Sequence, residues 1–265
     1  MGTKSVDDRW KEDGSIPQSI EQDRKDRLQA YRNKPDDILE HLEGERRVYE
    51  NAYAERVVIE LVQNGLDAIP SGPGIDGRIK VVLTSDALYV ANSGEPFTEE
   101  GVRSLRQKYL TTKKDDRSIG QFGVGFKSVL GVSSRPQVFS RTGSFQFIRE
   151  RSLKELNRLA AELAADSKIS VEKKAVLARL QEELDKGKAP VMRLAFGLSV
   201  SDCRKDDQEL DCLMRESDFV TILKLPLTRE TEEMQKCADH LQEEIASFPK
   251  EVLLTVDKNV TLQFV

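Results

Sequence analysis

Histidine and cysteine are scarce in this sequence of 265 residues. His41 and His240 are its only 2 histidines, which argues against a His-rich zinc site, a Ser-His-Asp triad and a Cys-His dyad. The 3 cysteines, Cys203, Cys212 and Cys237, form no CxxC pair, and an odd number of cysteines makes a poor disulfide framework. We therefore expect unreactive thiols in a reducing cytoplasm.

Long apolar runs and an excess of positive charge are also missing. No run approaches the ~20 apolar residues of a membrane-spanning helix, and the polar start of the chain has no signal-peptide core. Val6 stands where the N-myristoylation pattern requires Ser or Thr. The formal net charge is -5, so no global positive field attracts nucleic acid. These absences predict a cytoplasmic protein without a membrane partner, and they give no indication of a nucleic-acid partner, although a local basic patch stays possible.

The length of the chain is sufficient for one large domain or two small ones. Residues 1–35 are charged and poor in large apolar side chains, so we expect a polar N-terminal arm in which Trp10 is loosely packed. Residues 36–265 are expected to form the folded domain, with a helical insertion over 152–188, where Ala, Leu, Glu and Lys dominate. The sequence stops within an apparent strand, which predicts that this is the N-terminal part of a longer protein.

Hydrophobic periodicity predicts strands over 78–84, 87–91, 137–140, 144–148, 191–196, 219–226, 252–256 and 260–264, and helices over 35–50, 53–69, 98–102, 153–187 and 231–248. The segment 202–211 is predicted to be an acidic loop. Because strands and helices do not alternate strictly, a parallel doubly wound sheet is disfavoured. We expect an α/β fold of the α+β two-layer sandwich type, with a mixed, mostly antiparallel sheet and helices on one face.

The predicted helix over residues 53–69 has a polar stripe. At 100° per residue, Glu60, Asn64 and Asp67 fall within about 60° of one another. An ordinary solvated face would also give this pattern. A ligand is favoured by the small residues Gly65 and Ala68, which permit close approach, and by the absence of Lys and Arg from 57–77.

Two loops have the composition of ligand-binding loops. Asn92-Ser93-Gly94 follows a predicted strand, and such positions commonly contact ligands. The glycine motif over residues 119–126 precedes a predicted short helix, and its glycines allow backbone N–H groups to approach an anion. This signal is weak alone, because the motif is neither a Walker A loop nor a dinucleotide fingerprint. The polar stretch 110–118 is either a mobile lid or a plain surface loop.

Taken in order, the motifs resemble those of the GHKL ATPase superfamily, which comprises gyrase B, the ninety-kilodalton heat-shock chaperones, histidine kinases and MutL. The matching patterns are Glu60-x-x-x-Asn64-x-x-Asp67-Ala68, Asn92-x-Gly94 and Gly120-x-x-Gly123-x-Gly125. Residues 119–126 are very similar to the heat-shock-chaperone version of the glycine motif, and 219–223 resembles the fourth motif. Segments 92–98 and 248–254 look more like sacsin-type relatives. The resemblance covers 50–150 firmly and 190–265 loosely, and it implies a Bergerat ATP-binding fold.

The resemblance implies a role for each matching residue. Glu60 would be the catalytic base that orients and deprotonates the water attacking the γ-phosphate. Asn64 would bind Mg²⁺ through its side-chain oxygen. Asp67 would hold water or ribose contacts, and Thr221 would hold adenine through water. The other implied ATP contacts are Asn92, Gly94 and Phe97 at the adenine end, Lys113 or Lys114 in the lid, and Gly120, Gln121, Phe122, Gly123, Val124, Gly125 and Phe126 around the phosphates.

The adenine end departs from the family pattern. Relatives usually have an aspartate that accepts a hydrogen bond from the adenine amino group, and this chain has Asn92. An amide oxygen can accept the same bond, but without a charge. Pro96 and Phe97 replace the glycine and methionine of the family pattern. The phosphate end therefore matches the family more closely than the adenine end.

The resemblance implies a chaperone-like, Mg²⁺-dependent ATPase that is slow as an isolated domain and couples lid closure to dimerisation. The implied partners are ATP and ADP, a second copy in a nucleotide-dependent homodimer, and downstream domains of the same chain. Two alternatives stay open. One is a nucleotide-binding scaffold or sensor that does not hydrolyse ATP. The other is phosphotransfer to His41, although its surroundings lack the proline of a dimerisation-histidine box.

Overall fold

The computed structural model describes residues 10–50, 56–72, 74–106, 125–167, 169–229, 232–249, 251–252 and 259–265. The α-helices are α1 (Ser15–Asn33), α2 (Asp36–Glu50), α3 (Val57–Ala68), α4 (Glu99–Arg106), α5 (Arg149–Ala164), α6 (Val171–Asp185), α7 (Val200–Lys205), α8 (Gln208–Arg215) and α9 (Glu232–Ala246). The strands are β1 (Asp76–Leu83), β2 (Ala87–Asn92), β3 (Gln137–Ser140), β4 (Phe145–Phe147), β5 (Ala195–Gly197), β6 (Thr221–Pro226) and β7 (Asn259–Phe264). Short 3₁₀ helices lie at Gly125–Gly131 and Val191–Arg193.

The strands form one 7-stranded sheet in the order β5-β4-β3-β6-β2-β1-β7. Neighbouring strands pair antiparallel, except that β7 lies parallel to β1 at one edge. The predicted mixed, mostly antiparallel sheet is therefore confirmed. The central strand β2 is buried at every position, because helices cover the sheet on both faces.

Side chains that alternate along β2 separate the two faces of the sheet. Leu88 and Val90 belong to the main core, which α3, α4 and α9 also contribute to. Tyr89 and Ala91 face a second core that includes apolar residues of α8. The prediction placed helices on one face of the sheet. In the structure, the short helices α7 and α8 also cover the other face.

Two predicted segments differ in the structure. The acidic loop expected over 202–211 was wrong, because most of this segment lies in α7 and α8. The Asp207 carboxylate accepts a hydrogen bond from Leu210 N at 2.9 Å and begins α8, and Leu210 and Leu213 are buried three residues apart. In the strand expected over 191–196, the first three residues are instead a 3₁₀ helix and β5 begins at Ala195.

The polar N-terminal arm needs correction for residues 10–33. Most of this segment is α1, whose Ile16, Ile20 and Tyr31 are fully buried. These three residues fall within about 60° on a helical wheel, a narrow apolar stripe in a charged sequence. Trp10 is 4% exposed and its ring lies 4.5 Å from the Arg141 guanidinium carbon. The domain boundary near residue 35 stays a prediction.

The predicted helical insertion consists of α5 and α6, which begin and end close to residues 152 and 188. Their leucines form a core of their own with Tyr31 of α1, Ile38 of α2 and Phe196 of β5. The Phe196 ring has guanidinium carbons of Arg24 at 4.8 Å and of Arg151 at 4.2 Å from its centroid. This core and the Arg151 contact attach α5 and α6 to β5 at the edge of the sheet, and that the pair is an insertion stays a prediction. Within the described ranges, no helix is both long and apolar enough to cross a membrane.

Asp207 attaches α8 to the second face of the sheet. Besides starting α8, its carboxylate accepts a hydrogen bond from the Tyr89 hydroxyl at 3.0 Å and lies 2.7 Å from Lys224 Nζ. Its side chain is 9% exposed. Removing one member of such a covered ion pair destabilises the folded protein, because the remaining charge is left buried without a partner.

We expect Asp207→Ala to lower the free energy of unfolding by about 2–4 kcal/mol, because it removes a covered ion pair and a helix cap together. Asp206→Ala, at the exposed neighbouring carboxylate, is the control and should change stability by less than about 0.5 kcal/mol. Urea denaturation monitored by Trp10 fluorescence measures both, since Trp10 lies in the same core. Equal losses in the two variants would contradict this role.

Candidate functional site

The polar stripe of α3 borders a cavity of about 250 Å³ on the main face of the sheet. Val58, Val62 and Leu66 bury the opposite part of the helix in the main core. The cavity is lined by side chains from α3, the strands β2 and β6, the loop after β2, and α4. The lining residues are Leu61, Asn64, Gly65, Asp67, Ala68, Val90, Asn92, Glu95, Pro96, Phe97, Thr98, Gly101, Leu105, Phe126, Thr221 and Leu223.

Glycine allows α3 to approach the sheet at two points. A Cβ at Gly65 would lie 3.1 Å from Ile79 Cδ1 and 3.3 Å from Asn92 Cβ. At Gly94 the backbone is left-handed, with φ of 100°, and a Cβ would lie 2.3 Å from Ala68 O. The Glu95 backbone N–H donates to this same Ala68 oxygen at 2.8 Å. Gly94 therefore holds the loop after β2 against the end of α3, although it does not line the cavity itself.

Asn92 and Thr221 lie side by side on the floor of the cavity. They are direct partners in the antiparallel pairing of β2 with β6, and both are buried. Asn92 Nδ2 donates to Ser93 O at 2.8 Å, which leaves Asn92 Oδ1 as the acceptor of this amide. The buried Thr221 hydroxyl has no hydrogen-bond partner among the residues that the structure describes. A buried polar atom of this kind points to a ligand or a bound water.

Phe97 is held at the cavity wall by its backbone. The Phe97 N–H donates to Ser140 Oγ at 3.0 Å and the Thr142 hydroxyl donates to Phe97 O at 2.6 Å. Its ring makes an edge-to-face contact with Phe145, with centroids 5.9 Å apart. Because Ser140 is also the β3 neighbour of Thr221, the loop and the cavity floor are fixed by the same strands.

Glu60 lies one helical turn before Asn64 on the same side of α3, outside the cavity lining. It is half-buried. Burial raises the pKa of its carboxyl group above the ordinary value, and the nearby Arg56 charge opposes this effect. A carboxylate with a raised pKa is a stronger base than a fully solvated one.

The structure brings six of the predicted ATP-contacting residues to one cavity, namely Asn64, Asp67, Asn92, Phe97, Phe126 and Thr221. Gly125 and Phe126, the last two residues of the glycine motif, begin a 3₁₀ helix. Lys113, Lys114, Gly120, Gln121, Phe122, Gly123 and Val124 lie outside the described residues. For these residues the implied phosphate contacts stay predictions.

Sequence reasoning missed most of the apolar lining. Leu61 and Leu223 were predicted only as parts of a helix and a strand, and Gly101 and Leu105 of α4 were not considered as part of a site. The four-residue spacing of Gly101 and Leu105 puts them on one face of α4, but only the path of the chain shows that this face meets α3. Among the described residues, no group of three His, Cys, Asp or Glu side chains could hold a metal ion alone.

No protein-family model matches the chain. Over 91 residues it is 33% identical to Protein NO VEIN of Arabidopsis thaliana, a match that covers 34% of this chain and 3% of that protein. Over 94 residues it is 30% identical to Protein MICRORCHIDIA 1 of Arabidopsis thaliana, covering 34% of this chain and 15% of that protein. The chain thus spans a small part of the length of these curated relatives.

We expect Thr221→Val to leave the ligand-free protein as stable as the wild type or up to about 1 kcal/mol more stable, because it removes a buried hydroxyl without a described partner. The control is Thr228→Val. That hydroxyl accepts from Ser134 N at 2.7 Å and donates to Ser134 Oγ at 3.0 Å. Its loss should cost about 1–3 kcal/mol. Denaturant titrations of both variants test this, and a larger loss for Thr221→Val would show that its hydroxyl is bonded within the protein.

Proposed function

We propose that this chain is a GHKL-type ATP-binding module that hydrolyses ATP with Mg²⁺. The observation that carries the proposal is the convergence of Asn64 and Asp67 of α3 with Asn92, Thr221 and Phe126 on one cavity. These residues come from four separate parts of the chain, and the motifs that contain them occur in the order typical of that superfamily. The partial similarity to Protein MICRORCHIDIA 1 supports an ATPase-type module.

The described cavity suits a nucleoside. Its volume of about 250 Å³ is slightly below the ~300–1,000 Å³ of pockets for drug-sized ligands, so a base and a sugar fit and phosphates extend beyond it. Apolar side chains of Leu61, Val90 and Leu223 line the cavity and offer an apolar surface against which a base can pack. Asn92 Oδ1 can accept from an exocyclic amino group, and the Thr221 hydroxyl can bond the base or an intervening water.

Phosphates and Mg²⁺ are proposed to lie along the polar stripe of α3. The Asn64 side-chain oxygen is a suitable ligand for Mg²⁺, a hard cation that is usually held by few protein oxygens together with substrate phosphates and water. When bound, Mg²⁺ would bridge phosphate oxygens and neutralise charge that develops on them. Phe126, the last residue of the glycine motif, lines the cavity, and this supports the proposed phosphate contacts of the motif.

Glu60 is proposed as the base that orients the attacking water. It stands about 6 Å along the helix axis from Asn64, one turn toward the N-terminus. Its carboxylate would accept the proton of a water held between itself and the terminal phosphate. Because burial raises the pKa of Glu60, the carboxylate would take up this proton more readily than an exposed glutamate does.

The proposal extends to the larger assembly. Closure of the segment 110–118 over the nucleotide would favour association with a second copy, and the downstream domains that the resemblance implies would use this change. A chaperone-like role in the cytoplasm is the setting that the sequence resemblance favours. The second candidate is a nucleotide-binding scaffold or sensor that does not turn ATP over.

Glu60→Gln should lower Mg²⁺-dependent ATP turnover by about 10²–10⁴-fold, the usual contribution of a positioned base. ATP affinity should stay within about threefold, since Glu60 does not line the cavity. Gln63→Ala, at a half-exposed neighbour on α3 outside the lining, is the control and should retain wild-type turnover. Phosphate-release kinetics and calorimetric titration with ATP measure the two quantities. Wild-type binding without turnover in the full-length protein would favour the scaffold.

Asn64→Ala should weaken the dependence of ATP binding on Mg²⁺, because it removes the proposed oxygen ligand. We expect ATP affinity in Mg²⁺ to fall toward the value measured in EDTA, with adenosine affinity little changed. Calorimetric titrations with ATP and with adenosine, each with and without Mg²⁺, test this. An equal loss of adenosine affinity would place Asn64 at the nucleoside instead of the metal.

A further inference from the structure

The helix that bears Glu60 has no cap from its own sequence. Arg56 occupies the N-cap position of α3, and it makes no side-chain cap hydrogen bond. The first backbone N–H groups of a helix have no partner within the helix, so they require one from elsewhere. At α3 this partner comes from a residue far away in the sequence.

Glu244, on α9, supplies the missing cap. Its Oε1 accepts a hydrogen bond from Ile59 N at 3.0 Å, across a separation of 185 residues. The Glu244 side chain is buried, with 5% of the residue exposed. A carboxylate in this place also interacts favourably with the positive end of the α3 dipole. The bond therefore joins α9 to the first turn of α3 at a defined point.

The capped turn is the one that contains Glu60. Ile59, which donates the bond, directly precedes it, and the charge of Arg56 acts on the carboxyl groups of both Glu60 and Glu244. Burial raises the pKa of Glu244, and the backbone N–H groups of Ile59 and Val58 oppose the rise. The carboxyl groups of Glu60 and Glu244, the Arg56 guanidinium and the His240 imidazole thus act on one another near the start of α3.

We propose that Glu244 is a positioning residue for Glu60, acting through the hydrogen bond that fixes the first turn of α3. Without it, the turn would lose its cap and the Glu60 carboxylate would no longer be held in one direction toward the nucleotide. The inference rests on the proposed function for its catalytic consequence. Its structural part, an ordered first turn that depends on Glu244, can be measured separately.

The turnover experiment compares three variants of the whole chain. Glu244→Ala should lower kcat about 10- to 100-fold, the scale expected when a reacting group is displaced by about 1 Å, while KM for ATP stays within about threefold. Glu244→Gln retains an oxygen that can accept from Ile59 N, so it should recover most of kcat. Glu243→Gln is the matched control, because its carboxylate is 78% exposed and bonds His240, and it should behave as the wild type.

A second measurement does not depend on hydrolysis. Amide hydrogen exchange at Ile59 should be at least about tenfold faster in Glu244→Ala than in the wild type and unchanged in Glu243→Gln. Titration of the Glu60 carboxyl by NMR should show its pKa falling toward the ordinary value as the frayed turn becomes solvated. If Glu244→Ala does not fold, Glu244→Met, which keeps much of the side-chain volume but offers no oxygen to Ile59 N, replaces it in both measurements.

Some results would overturn the proposal. These are a raised KM with unchanged kcat, equal kcat losses in Glu244→Ala and Glu244→Gln, or unchanged exchange at Ile59. If the wild-type protein itself shows no ATP turnover, the proposed function fails, and the exchange and titration data still establish or reject the role of Glu244 in ordering α3.

Discussion

The site depends on direct contact between the end of α3 and the backbone of the sheet. Gly65 brings the middle of the helix against Ile79 and Asn92, and Gly94 lets the loop after β2 pass beside Ala68. A side chain at either glycine would push the helix away from the strands. Since α3 forms a wall of the cavity and β2 forms part of its floor, this close approach sets the size of the cavity. The hydrogen bond from Glu95 N to Ala68 O then fixes the helix along its axis.

The two ends of the site are supported by different parts of the fold. The floor at Asn92 and Thr221 belongs to neighbouring central strands, and Ser140 and Thr142 extend this support to Phe97. Glu60 lies in the first turn of α3, where the Ile59 N–H donates a hydrogen bond to Glu244 of α9. Strand pairing gives the cavity floor a rigid base. The position of Glu60 depends on how α3 and α9 pack.

Much of this could be predicted from local sequence patterns. The β1–β2 hairpin, the strand β6 and the helices α2, α3, α5, α6 and α9 follow from periodicity of apolar residues, and the polar stripe of α3 was visible on a helical wheel. Prediction failed where few apolar residues determine an element. Charged neighbours masked the apolar stripe of Ile16, Ile20 and Tyr31 in α1. Asp207 was interpreted as part of an acidic loop, although its side chain caps the start of α8. Contacts between distant segments, such as Glu244 with Ile59, have no local signature.

The order of strands in the sheet has a consequence for how the protein is made. Asn92 pairs with Thr221 in the cavity floor, and Asp76 pairs with Asn259 at the parallel edge of the sheet. Both pairs join residues that are far apart in the chain. Such non-local pairing gives a high contact order, and folding is correspondingly slow. During synthesis, α3 and the β1–β2 hairpin leave the ribosome long before β6 does. The edge of β2 that pairs with β6 stays open until β6 is made, and chaperone assistance is of most use during that interval.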